Sequence, residues 1–164
     1  MKGFTLIELL VVIGIIVILM TAALVAINPF KQFAMANNAN RWSGVTTVMN
    51  AIYQNVVDNK GVFTCAAGDI PTATNTCMGD STAAPLPAEC SGGYYDICGC
   101  LIPTYVGAMP FDPQFGSYTA CTAAATDEYD TRYTIQRDAT TGRVTICAPN
   151  TQIPPEATDI CITR

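Results

Sequence analysis

The chain has 164 residues, half of them hydrophobic and 13% charged, with no histidine and a formal net charge of −5. That length holds one domain, with or without an appended segment. Without histidine the commonest acid–base and metal-ligating side chain is missing, and an acidic balance argues against general electrostatic binding to nucleic acid.

Apolar residues crowd the N-terminus, which reads MKGFTLIELLVVIGIIVILMTAALVAI. From Leu9 to Ile27 the only non-aliphatic positions are Gly14, Met20 and Thr21. At about 1.5 Å per residue this run is about 28 Å long. With Thr5 to Glu8 added, it crosses a bilayer core of about 30 Å. A helix packed on the core of a soluble protein usually keeps one polar face, and this one has none, so a buried helix of a soluble protein is the lesser alternative. A cleaved secretory signal ends in small residues of the A-x-A kind, and none precedes Asn28-Pro29. The pattern therefore predicts a retained transmembrane helix over 6–27. Lys2 keeps the N-terminus cytoplasmic by the positive-inside tendency, which sends the remainder outside.

Glu8 breaks the apolar run. A carboxylate at the centre of a spanning helix costs roughly 2.5–3.5 kcal/mol by insertion scales. Either it reaches back to the membrane surface, or a group outside its own helix requires it.

Pro29 removes a backbone donor and disfavours helical backbone at Asn28, so a kink is expected there. Beyond it, Val45, Val48, Met49, Ile52 and Val56 recur every three or four residues, with Thr46, Thr47, Asn50, Gln54 and Asn55 between them. That is an amphipathic helix over about 31–57 with one apolar stripe. Asp58-Asn59-Lys60-Gly61 ends it, glycine suiting a left-handed cap. The segment 4–60 thus has two parts, one for lipid or other helices and one for a partner surface.

Residues 61–164 carry eleven acids and four arginines. They also hold all eight cysteines: Cys65, Cys77, Cys90, Cys98, Cys100, Cys121, Cys147 and Cys161. An even number in an exported segment reads as disulfides. The alternative, a metal site, has only the C-x-C of Cys98 and Cys100 in its favour. The stretch 61–93 has no clear period and reads as a loop stapled by cystines, with Cys65–Cys77 as the favoured pair. Cys98 and Cys100, if on a strand, lie about 7 Å apart and need different partners. Tyr94 to Val106 suggests a further strand. Arg132–Arg137 alternates, a turn follows over 138–142, and Arg143–Cys147 alternates again, so a β-hairpin is predicted. Asp159–Thr163 is a short last strand. The fold class is α+β: a long N-terminal helix on a small antiparallel sheet.

The segment GFTLIELLVVI resembles the N-terminus of type IV pilins and type II secretion pseudopilins. The resemblance implies a leader over 1–3, cleavage after Gly3 by a prepilin peptidase, and N-methylation of Phe4. It also implies the pilin fold, with Pro29 as the helix kink and a globular head over 61–164. Glu8 would be the assembly residue. It would neutralise the charged N-terminus of a neighbouring subunit, because pairing offsets the desolvation of both charges. More weakly, 26–29, Arg41 and the stripe to Tyr53 resemble the pilin helix. Ile102-Pro103, 110–113 and Tyr133 resemble the loop and sheet of major pseudopilins. The proline stands later than the family's common kink position, and eight cysteines exceed the usual pair.

The chain is accordingly expected to be a structural subunit of a type IV pilus or pilus-like filament. The alternatives are a type II secretion pseudopilin and a membrane-anchored periplasmic binding module that never polymerises. No Gly-x-Ser-x-Gly or phosphate loop occurs, so no enzyme is expected. Expected partners are copies of itself in a helical filament, the prepilin peptidase, inner-membrane assembly machinery and membrane lipid before assembly, with no nucleic acid. The expected location is the inner membrane and then a surface or periplasmic filament, with the head outside the cytoplasm. No cofactor is expected. Calcium is a weak exception, with Asp112, Asp127, Glu128 and Asp130 as hard oxygen ligands; a solvated acidic loop is the blander reading of the same residues.

Overall fold

A computed structural model describes residues 3–80, 86–122, 129–152 and 158–164. The first helix, α1, spans Leu6–Ile27, and none of its residues is buried. It ends at Asn28, whose backbone is left-handed (φ 47°, ψ 79°). Asparagine tolerates that conformation better than most side chains. Here its carboxamide oxygen also accepts the Lys31 backbone N–H at 3.4 Å. Pro29 then opens α2 (Pro29–Asp58), at a position where a missing N–H goes unused. The break is thus made by two residues: Asn28 closes one helix and Pro29 starts the next.

The upper part of α2 turns its apolar stripe to the sheet. Val45, Val48, Met49 and Ile52 are wholly buried, each such burial stabilising by about 1.5–3 kcal/mol. Across from them lie Tyr133, Ile135 and Ile146 of the sheet. Gly44 permits the close approach, since a Cβ there would fall 2.8 Å from the Tyr133 hydroxyl. After α2, Lys60 and Gly61 both take positive φ (59° and 93°), so the left-handed exit uses two residues.

Among the described residues six strands form one sheet: β1 Thr76–Gly79, β2 Tyr94–Tyr95, β3 Ser117–Tyr118, β4 Tyr129–Arg137, β5 Val144–Ala148 and β6 Ile160–Thr163. Their order is β2-β1-β4-β5-β6, with β3 also pairing β4. The β4–β5 hairpin occurs where the alternation places it, with Ile135 opposite Ile146. Its turn is held by the Asp138 carboxylate, which accepts the backbone N–H groups of Thr140 (2.9 Å) and Thr141 (2.6 Å).

Three expectations need correction. The sheet is mixed, because β1 runs parallel to β2 while the other pairs are antiparallel. The stretch 61–93 is not all loop, since it contains β1 and a 3₁₀ turn over Ala88–Cys90. β1 has no alternation because it is an interior strand with all four residues buried, and such strands lose the polar face that alternation requires. Finally, Tyr94–Val106 is mostly not strand: after Tyr95 the chain forms a short helix, α3, over Cys98–Leu101.

Candidate functional site

The N-terminal segment is built around one capping motif. Thr5 is the N-cap of α1, and its hydroxyl oxygen accepts the Glu8 backbone N–H at 3.3 Å. In return Glu8 Oε2 accepts the Thr5 backbone N–H (2.9 Å) and the Thr5 hydroxyl (2.7 Å). This reciprocal box satisfies donors that a helix start leaves unpaired. Thr5 was not singled out in the sequence, although the T-x-x-E spacing is a known signal for such a box. Glu8 therefore has a local role alongside any intersubunit one. It sits one turn from Phe4, whose side chain is 88% exposed. At Gly3 an added Cβ would meet nothing within 4 Å, and the backbone is not left-handed. The fold itself does not demand glycine there.

A second link between helix and head is a buried ion pair. The Arg41 guanidinium donates to Asp112 through Nε (2.7 Å) and Nη2 (3.2 Å), and both side chains are wholly buried. Arg41 also donates to Asn38 Oδ1 (3.0 Å) and Gln114 Oε1 (3.1 Å). Asp112 Oδ1 accepts the backbone N–H groups of Gln114 and Phe115 at 2.9 and 3.1 Å. Asn38 extends the network to Gln152, donating to its carbonyl and accepting its backbone N–H. Every polar group on the pair thus finds a partner, which a buried charge pair requires. Asn38, Gln114 and Gln152 were missed. The signal for Arg41 was its place one turn before Val45, on the buried stripe.

The calcium candidates divide. The Asp112 carboxylate is engaged by Arg41 and two backbone donors, so its role here is structural. Asp130 accepts the Tyr94 hydroxyl at 2.9 Å and pairs with Arg132 Nε at 2.8 Å. Asp127 and Glu128 lie outside the described residues. Among the described residues no cluster of three or more candidate metal ligands occurs.

The eight cysteines form four disulfides: Cys65–Cys100, Cys77–Cys90, Cys98–Cys121 and Cys147–Cys161. The favoured pair Cys65–Cys77 is therefore wrong. β1 carries Cys77 into the sheet interior, where the 3₁₀ turn brings Cys90 to it, while Cys65 lies beside α3. Cys98 and Cys100 do take different partners, but for another reason than expected. They stand two apart on a helix, where side chains diverge by about 200°.

Burial also raises the hydroxyls of Tyr95, Tyr129 and Tyr133 in the head. Tyr95 is pushed up to about 12 by burial and then by Asp69 and Asp96. Tyr129 and Tyr133 are driven higher still by burial, reinforced by Asp96 and Asp112 respectively.

No curated protein and no solved structure matches the chain. Residues 1–24 match the family model of the prokaryotic N-terminal methylation motif. The apolar helix, which starts inside the matched residues, suits membrane anchoring, and the motif is one of N-terminal processing. At its N-terminus the chain carries the signature of type IV pilins and pseudopilins.

Proposed function

We propose that this chain is a structural subunit of a type IV pilus or pilus-like filament, assembled through its N-terminal helix. The observation that carries the reading is α1 itself: 22 residues, the processing signature at its start, and no residue buried by the chain's own fold. So much exposed apolar surface marks a surface made for something else to cover. Lipid covers it before assembly, and neighbouring copies cover it afterwards. Contacts of this head-to-tail kind generate open helical filaments. The head, residues 61–164, then stays outside the cytoplasm, where its disulfides persist.

In this reading the prepilin peptidase cuts between Gly3 and Phe4. Glycine is needed by the enzyme, which fits a position where the fold places no demand on it. Cutting creates an α-amino group on Phe4 that stays cationic after monomethylation. Glu8 of an adjacent subunit pairs with it, and the Thr5 box holds that carboxylate in place at the helix start.

The test is a strain whose only copy carries Glu8→Ala, with surface filaments sheared off and counted by electron microscopy. Filaments should be lost or strongly reduced, while the head stays folded and membrane-bound. Abundant normal filaments would falsify the pairing role. Filaments absent from the parent strain as well, under inducing conditions, would favour a non-polymerising membrane-anchored module.

A further inference from the structure

We propose that Phe30, Lys31 and Phe33 form a collar that seats the unassembled subunit in the lipid headgroup layer on the head's side of the membrane. The inference rests on α1 being a spanning helix, and it concerns a segment which that reading leaves unexplained.

The first turns of α2 carry large apolar side chains that the fold does not use. Phe30 is 84% exposed and Phe33 70% exposed, although both stand on the helix that builds the core further along. Burial on α2 begins only at Asn38. Exposed phenylalanines in water are unfavourable, so a medium or a partner covers them. Three observations favour lipid.

The first is position. Phe30 lies about 5 Å and Phe33 about 9 Å beyond Ile27 at the usual helical rise. A headgroup layer is roughly 5–8 Å thick on each side of the hydrocarbon. Phe30 therefore falls within it and Phe33 at its outer edge, where aromatic residues gather on membrane proteins. The second is distribution. At about 100° per residue Phe30 and Phe33 stand about 60° apart, with Lys31 about 100° from Phe30 on its other side, so the three share one face of the helix. An apolar pair bordered by a cation suits the boundary between acyl chains and lipid phosphates. The third is charge. Between residues 3 and 59 the only Lys or Arg besides the buried Arg41 is Lys31. It sits within this collar, where a lysine stem lies along apolar surface while its ammonium reaches lipid phosphates. The break at Asn28 falls at the same level, so the direction of α2 is set at the membrane surface.

The experiment uses the full chain with Trp42→Phe as background, Trp42 being the sole tryptophan. Single tryptophans are introduced as Phe30→Trp, Phe33→Trp or Leu19→Trp, all exposed positions where the fold tolerates the change. Each variant is reconstituted, at high lipid-to-protein ratio, in vesicles of phosphatidylethanolamine and phosphatidylglycerol brominated near the top or the end of the acyl chains. The Phe30→Trp and Phe33→Trp proteins should be quenched several-fold more by shallow than by deep bromines. The Leu19→Trp protein should show the reverse. Quenching at position 19 with none at 30 and 33 would overturn the collar while leaving the spanning helix intact. No quenching at position 19 would overturn both. Emission at position 30 that ignores bromine but shifts with protein density would show a second copy covering the collar, and would also overturn it.

Discussion

Along α1 no side chain between Leu6 and Ile27 is buried, while in the head Tyr133, Ile135 and Ile146 are wholly excluded from solvent. The two regions also differ in how polar groups are settled. Arg41 and Asp112 are matched within the chain, by each other and by Asn38, Gln114 and backbone donors. Glu8 is held by Thr5 alone among the described contacts and stays at the surface. The head carries its own core and cross-links, whereas α1 satisfies its backbone internally and leaves its side chains to an outside medium. α2 joins the two, with its first turns exposed and its later turns part of the head's core. Treatments that unfold one region should therefore leave the other unchanged.

Reduction of the disulfides should separate them most. The four links close loops with sequence separations of 35, 13, 23 and 14. A loop of about 15 residues contributes about 3 kcal/mol in the chain-entropy view, against a total domain stability of about 5–15 kcal/mol. The reduced head is expected to unfold in detergent micelles, losing its near-ultraviolet circular dichroism, while α1, which has no cysteine, stays helical. A fully reduced protein with an unchanged near-ultraviolet spectrum would contradict this.

Breaking the buried ion pair comes next. Asp112→Ala leaves the Arg41 guanidinium buried without its counter-charge, which costs about 3–5 kcal/mol. Replacing both partners, as Arg41→Met with Asp112→Leu, should cost much less than the sum of the single changes. Chemical denaturation of the four proteins reads this as a coupling energy, and simple additivity would show that the pair does not act as a unit.

Alkaline pH should act more gently, and again only on the head. Tyr95, Tyr129 and Tyr133 ionise less readily folded than unfolded, because burial raises each of them above the ordinary 10.0. A raised folded value means that their contribution is complete below pH 10.0 and falls as pH climbs, the Tyr95 part being lost by about 12 and the other two continuing to fall beyond it. The midpoint of head unfolding in urea should fall over that interval. A midpoint that stays constant there would mean the three hydroxyls are not shielded.

What could be read from the sequence follows the same division. α1 was legible from composition alone, since an apolar run of that length has few other fates. The stripe from Val45 to Val56 and the hairpin around Asp138 were legible because each has one wet face, so its period is written in polar residues. β1 was not, because Thr76, Cys77, Met78 and Gly79 are all buried and show no alternation. Missing β1 also misplaced Cys77 and hence its partner. The Arg41 network was hidden for a similar reason: Asp112, Gln114 and Gln152 come from irregular segments, where no period announces which side chains turn inward.

The measurement that bears most directly on the filament reading is the intact mass of the protein in sheared surface filaments, without reduction. The expected species begins at Phe4, carries one added methyl group and is eight hydrogens lighter than the fully reduced chain, as four disulfides require. A chain that retains Met1, or one that begins after Ile27, would contradict both the processing and the use of α1 as the assembly helix.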